Sequence, residues 1–246
     1  MKNYLKEKVT QLAKPSFRNA DGNSWNSAVF LMETLIKETG KSPQITEWGE
    51  SNRYKNFTIR FPGEISKTVI LGAHYDTYAH TPGADDNASS VAVLLCILKQ
   101  LPINFKRYFS FEIIFYACEE PPFFDTDEMG SYIDASKRKS DEIEMMICLE
   151  MVGYFSNKKN SQNYPFGILK YIYGNRGNFI IGVSNRASRK KGQKYMNLLK
   201  AQRKDFYKSL LLPISFSGLG LDWSDHRSYW NIKAPAIMLT DTAMFR

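Results

Sequence analysis

Cysteine is scarce in this chain, three in 246 residues. Cys96, Cys118 and Cys148 lie inside apolar runs, which suits reduced core residues rather than a disulfide framework. No apolar run reaches the ~18 residues a membrane helix needs. Met1 to Lys14 carries lysines without the apolar stretch of a signal peptide. The expectation is a soluble, cytoplasmic chain with no membrane partner. Histidine is equally sparse, at His74, His80 and His226. HExxH, a CxxC pair, a GxSxG elbow, a Walker loop and GxGxxG are all absent. The common zincin, zinc-ribbon, serine-hydrolase, P-loop and dinucleotide signatures are thereby excluded.

Hydrophobic residues, at 43%, and aromatics, at 14%, suffice for a substantial core and exclude global disorder. The length is about one and a half times the usual domain of roughly 150 residues, and one large domain over 1–246 is the expectation. The net charge of +8 is compatible with nucleic acid, with acidic surfaces or with solubility alone. Arg186 to Lys194, with Lys200, Arg203, Lys204 and Lys208, reads as a solvated face. No RNA or DNA module accompanies it, so nucleic acid is not expected as a partner.

Periodicity predicts helices over Leu5 to Leu12 and Trp25 to Glu38, the second with Ser24 at its N-cap and Gly40 as its stop. Extended stretches follow at Gln44 to Trp48, Tyr54 to Phe61 and Lys67 to Ala73. A helix over Ala88 to Leu101 precedes buried strands at Phe111 to Cys118 and Glu144 to Met151, with a helix over Gly130 to Lys139 between them. Phe179 to Val183 reads as a weaker strand, Lys194 to Leu210 as a basic amphipathic helix and Ala236 to Thr240 as a last strand. This alternation argues for an α/β fold: a mostly parallel mixed central sheet with helices on both faces and antiparallel strands at the N-terminal edge. The least regular segment, Ser156 to Lys194, is a candidate insertion near a site.

Metal-type ligands collect in four segments. His74-Tyr75-Asp76 follows a strand, Gly83-Ala84-Asp85-Asp86-Asn87 precedes a helix, Cys118-Glu119-Glu120 follows a strand, and Glu150 closes one. Sites in open α/β sheets form beyond the carboxyl ends of strands. A lone His-x-Asp is commonly a satisfied histidine, and Asp-Asp-Asn alone reads as a turn and cap. Glu119, Glu120 and Glu150 are harder to accommodate, because a carboxylate at the end of an apolar strand is costly unless paired or bound to a cation. Pro121 and Pro122 are expected to force the chain out of the ladder there. If Asp86, Glu120 and Glu150 converge, their three charges against two divalent ions and one hydroxide sum to zero. Mixed histidine and carboxylate donors favour zinc, with manganese and cobalt as alternatives. A carboxylate bridge, for which Asp86 is the candidate, suits two ions roughly 3.5–4 Å apart.

These segments, with Gly130-Ser131, Met151-Val152-Gly153 and Ser224-Asp225-His226, resemble the zinc aminopeptidases related to bacterial leucyl aminopeptidase. That is metallopeptidase family twenty-eight, which also contains the glutaminyl cyclases. The resemblance covers roughly residues 65 to 155, with further matches at 224–226 and 234–246. It implies the phosphorylase/hydrolase-like fold of the zinc peptidases, two zinc ions and a peptide substrate. It also implies that His74 and Glu150 hold the first metal, Asp86 bridges, Glu120 holds the second, Glu119 is the general base and Asp76 orients His74. Asp225 and His226 match a motif near the substrate pocket, and the Asp86 to Asn87 peptide is expected to be cis.

The chain departs from the family pattern in two places. Glu150 stands where relatives often have Asp. A second metal-binding histidine, found in relatives soon after the strand matching Ala236 to Thr240, has no counterpart before Arg246. Either the chain is truncated at its C-terminus, which is the expectation here, or His80 or His226 substitutes, or the second site is weak or empty. The implied function is metal-dependent removal of N-terminal residues from peptides. A glutaminyl-peptide cyclase and a catalytically silent metal-binding domain are the alternatives. Tyr154, Phe155, Tyr229 and Trp230 suggest an apolar substrate pocket.

Overall fold

The computed structural model describes all residues except 15, 103–105, 165–166, 204–205, 212–219 and 242–246, and the side chains of 209–211. Its strands are β1 (Gln44–Trp48), β2 (Tyr54–Phe61), β3 (Ile65–His74), β4 (Phe109–Tyr116), β5 (Ile143–Glu150), β6 (Ile180–Ser184), β7 (Tyr207–Leu211) and β8 (Ala236–Thr240). They form one sheet in the order β1-β2-β4-β3-β5-β8-β6-β7. The middle four, β4-β3-β5-β8, run parallel. At the N-terminal edge β1 and β2 pair antiparallel, as expected. The opposite edge differs from the expectation: β6 is antiparallel to β8 and carries β7 parallel beside it.

The helices are α1 (Lys2–Leu12), α2 (Trp25–Lys37), α3 (Ala88–Gln100), α4 (Gly130–Ala135), α5 (Leu169–Tyr173), α6 (Arg189–Gln202) and α7 (His226–Asn231). Because alternate strand residues face opposite ways, the central strands feed two separate cores. Ile113, Phe115, Met145 and Leu149 pack with α1, α2, α3 and Met196 of α6. Their neighbours Ile114, Tyr116, Met146 and Cys148 pack with Ala135 of α4 and Tyr229 of α7. Apolar residues in unbroken runs are what a strand covered on both faces requires. All three cysteines are free and buried in these layers.

Several expectations are corrected. The basic helix begins at Arg189 and ends at Gln202. Tyr207–Leu211, the end of the expected helix, instead pairs with β6 from Ile180↔Tyr207 to Ser184↔Leu211, so cross-strand pairing overrides local helical pattern. The helix after Gly130 stops at Ala135. Ser24 occupies the N-cap of α2 with helical dihedrals and no side-chain capping bond. Among the described residues no helix is long and apolar enough to cross a membrane.

Candidate functional site

His74 closes β3 in register with Tyr116, and Glu150 closes β5 in register with Thr240. Parallel neighbours therefore deliver both side chains to the carboxyl edge of the sheet. Asp86 comes from the loop before α3. The Asp86–Asn87 peptide is cis. Asn87 forms no side-chain capping bond. Its amide donates to Leu149 O (2.9 Å) and its carbonyl accepts from Met151 N (3.1 Å), which fastens the Asp86 loop to the end of β5. Ser89 Oγ accepting from Val152 N (3.0 Å) and Asp85 Oδ1 accepting from Gly153 N (2.8 Å) extend the seam.

Glu119 and Glu120 leave the ladder earlier than the prolines require. β4 ends at Tyr116, and Cys118 turns the chain with a φ of 59°. Side chains hold that turn. Asn56 Oδ1 accepts from Ala117 N (3.0 Å), while the two carboxylate oxygens of Asp76 accept from Glu119 N (3.1 Å) and Glu120 N (2.9 Å). Asp76 thus shapes the segment that carries two other candidate residues, a role the sequence reading assigned only toward His74.

The side chains converge on one imidazole. His74 Nε2 lies 3.3 Å from Asp86 Oδ1, 3.3 Å from Glu150 Oε2 and 3.7 Å from Glu119 Oε2, and Nδ1 lies 3.4 Å from Asp76 Oδ1. Neither ring nitrogen makes a hydrogen bond of good geometry, although the ring is fully buried. Donor atoms of His74, Asp86 and Glu120 all lie within 4.8 Å of one another. Burial raises the Glu119 and Glu150 carboxyls, and His74 only partly offsets this. Burial and repulsion from Asp86 push Glu120 up to about 8. For His74 burial acts downward, but Glu119 and Glu150 outweigh it and raise the pKa. Buried and half-exposed acids crowded around buried, hydrogen-bond-poor nitrogens are the donor set a divalent cation relieves. The residues present fit a bound metal.

Residues 56–245 match the model of peptidase family M28. The chain belongs to peptidase family M28. Protein YfbL of Escherichia coli is 35% identical over 97% of this chain and 75% of its own length. A probable leucine aminopeptidase of Arthroderma otae is 28% identical over 65% of the chain, which spans 47% of that fungal protein. Among solved structures, the Legionella pneumophila LapA aminopeptidase superposes with a TM-score of 0.67 at 18% identity, over 98% of this chain and 60% of that one. An Acidobacteriales bacterium glutaminyl cyclase does so with a TM-score of 0.64 at 16% identity, over 96% and 76%. At those identities the structural likeness is one of fold, an α/β fold shared by both enzymes.

Around this centre the M28 chain places Arg18, which the sequence reading did not single out, and Ser224, which it named only within a motif. Arg18, between α1 and α2, is fully buried and donates to carbonyl oxygens of Leu12 (3.0 Å), Tyr75 (2.6 Å) and Gly83 (2.6 Å). Burial lowers its pKa to about 10 against the pull of Asp76, Asp86 and Glu120. Ser224 Oγ donates to Glu150 Oε2 at 2.6 Å. No short motif flags Arg18; its lone position between two helices offered no signal.

Asp225 and His226 are fully buried at the start of α7. Burial raises Asp225 to about 7 and lowers His226 to about 3. Neither lines the cavity, whereas Trp223 and Arg227 do. His226 packs edge-on against Trp230, with ring centroids 4.4 Å apart. His80 contacts Ser16 Oγ at 2.8 Å on the surface. Among the described residues neither histidine joins the converging group.

A cavity of about 980 Å³ opens over the acidic residues, walled by Leu169, Tyr173, Ile181, Val183, Leu221 and Met238 among others. The irregular segment from Ser156 thus supplies part of its wall. The four aromatics expected to line it do not. Tyr229 and Trp230 belong to the core beneath α7, and Phe155 stacks on Phe206.

Proposed function

We propose that this chain is a metal-dependent aminopeptidase, a single domain that hydrolyses the peptide bond next to a free amino terminus. His74, Asp86, Glu120 and Glu150 would hold zinc. The observation that carries the reading is His74 Nε2, buried without a hydrogen bond and with carboxylate oxygens of Asp86 and Glu150 each 3.3 Å away. When bound, zinc would supply Lewis acidity, enough to lower the pKa of a water from about 15.7 toward ~7 and to polarise a carbonyl.

The chain's own residues do the rest. Glu119, which lines the cavity beside the ligands, takes the water's proton on a carboxylate oxygen and returns it to the leaving amine. Asp76 fixes the direction of Glu119 by holding its backbone N–H, and Ser224 fixes Glu150. The acidic rim attracts the substrate's ammonium group. The apolar wall accepts a large apolar first side chain and excludes water from it.

Glu119→Gln should keep fold and metal but lower the turnover of amino-acid arylamides by at least ~10²-fold. Near-normal turnover would show that the base is assigned wrongly.

A glutaminyl cyclase, in which the substrate's own α-amine attacks the side-chain amide carbonyl and ammonia leaves, is the second reading. It is favoured by the single imidazole in the converging group among the described residues. Turnover of N-terminal glutaminyl peptides but not of arylamides would select it. A silent metal-binding domain predicts neither activity and one bound metal or none.

A further inference from the structure

We propose that the part of the cavity wall formed by Gln162, Tyr164, Leu169 and Tyr173, with the basic residues beside them in the chain, selects peptides with acidic residues downstream of the cleaved bond. This inference rests on the aminopeptidase reading. Residues 151–204 contain twelve lysines and arginines and no aspartate or glutamate. The other 192 residues carry 21 basic against 25 acidic side chains, a net charge of −4. The chain's positive charge is therefore a property of one segment.

Part of that segment is stitched together next to Gln162. Ser156 N donates to Gly177 O (2.6 Å), Gly177 N to Ser161 Oγ (3.0 Å), Asn175 Nδ2 to Asn160 Oδ1 (3.0 Å) and Asn178 Nδ2 to Asn157 Oδ1 (2.9 Å). Lys158, Lys159 and Arg176 ride on this unit, and buried Gln162 of the same loop lines the cavity. Lys170 sits on α5 between Leu169 and Tyr173, both lining residues. All four basic side chains are exposed, and among the described residues none has a carboxylate within 4 Å.

Asp85, Asp86, Glu119, Glu120 and Glu150 line one part of the cavity, and the loop and helix that carry the four basic side chains contribute Gln162, Leu169 and Tyr173 to another. A peptide entering ammonium end first, with carboxylates trailing, satisfies both. A basic peptide is repelled by the wall as it approaches. Such a field steers encounter over about a Debye length and is screened by salt. Continuity of the basic unit with the cavity favours a peptide over a nucleic acid.

The test uses the zinc-loaded protein with Leu-Ala-Asp-Asp-Asp, Leu-Ala-Lys-Lys-Lys and leucine p-nitroanilide. At about 50 mM salt, kcat/KM for the acidic peptide should exceed that for the basic one by about tenfold. The ratio should fall below about twofold near 0.5 M salt. Reversing Lys158, Lys159, Lys170 and Arg176 to Glu should abolish the preference. Reversing Lys2, Lys6, Lys67 and Lys106, exposed elsewhere, should preserve it. Equal kcat/KM for the two peptides, with the anilide turned over, overturns the wall proposal and leaves the aminopeptidase standing. No turnover of any substrate overturns the aminopeptidase reading. Anisotropy of fluorescein-labelled peptides then decides the wall: tighter binding of the acidic peptide, lost in the fourfold variant, supports it, and equal binding overturns it. Tighter binding of an oligothymidylate of the same charge also overturns it.

Discussion

Asp76→Asn is the sharpest probe of how this site is held. The carboxylate is fully buried and accepts two backbone N–H groups, from Glu119 at 3.1 Å and Glu120 at 2.9 Å. Asparagine keeps the shape but offers one acceptor oxygen, and its NH₂ must face the other N–H. One bond to a charged acceptor is lost, at about 1.5–3 kcal/mol, and a buried donor is left without a partner. For a chain of this size each kcal/mol shifts Tm by roughly 2–4 °C, so a fall of about 5–10 °C is expected. The turn carries both the proposed base and a proposed ligand. Zinc affinity should therefore drop about 10–100-fold, and arylamide turnover should drop with kcat affected more than KM. Thermal melts with chelator, a zinc titration and steady-state kinetics measure the three effects. A variant that melts within about 1 °C of the parent and binds zinc equally well would refute the claim that Asp76 holds the turn.

Other expectations follow from the same geometry. With metal chelated, Glu120 sits near 8 rather than 4.5, Glu119 and Glu150 are also raised, and His74 is raised above 6.5. Each raised group binds more protons folded than unfolded. The carboxyl contribution is complete below about 4.5 and fades as pH rises toward ~8, and that of His74 fades above 6.5 in the same direction. Tm with chelator should fall from pH 5 to 8 while added zinc opposes the fall, and a chelated Tm that rises across that window contradicts the cluster's electrostatics. Arg18→Met should cost about 3–5 kcal/mol, because several buried carbonyls lose their donor and the nearby acids lose a buried cation. Denaturant unfolding checks this, and a loss under about 1 kcal/mol would be inconsistent with the bonding described.

The fold was legible where a strand's pattern comes from its own burial. Phe57, Ile59 and Phe61 of β2 are buried while Thr58 and Arg60 between them are not, and the boundaries read from that alternation match the structure. Val69 to Leu71 likewise announced a strand covered on both faces. Legibility failed at the far edge. Tyr207–Leu211 has no period of its own that separates it from the preceding helix, and its conformation is set by pairing with β6. The direction of β6 against β8 is a property of the connection and leaves no mark on the five residues of Ile180–Ser184.

The site divides along the same line. Carboxylates at apolar strand ends stand out because burying them without compensation is expensive, so Glu119, Glu120 and Glu150 could be picked out by chemistry, whereas His74 and Asp86, bland alone, gained weight only beside them. The groups that position them are ordinary in sequence. Asn56, Asn87 and Ser224 act through one or two hydrogen bonds to residues tens of positions away, and Arg18 bonds to backbone carbonyls that any residue could present. Parallel strands explain how so few acids suffice. Each ends at the same edge, so one residue per strand end, plus the loop fastened by Asn87, brings carboxylates more than sixty residues apart to within 4 Å of one imidazole. The backbone hydrogen bonds of the sheet and the seam offset the repulsion that this proximity creates, and a divalent cation would remove it at its source.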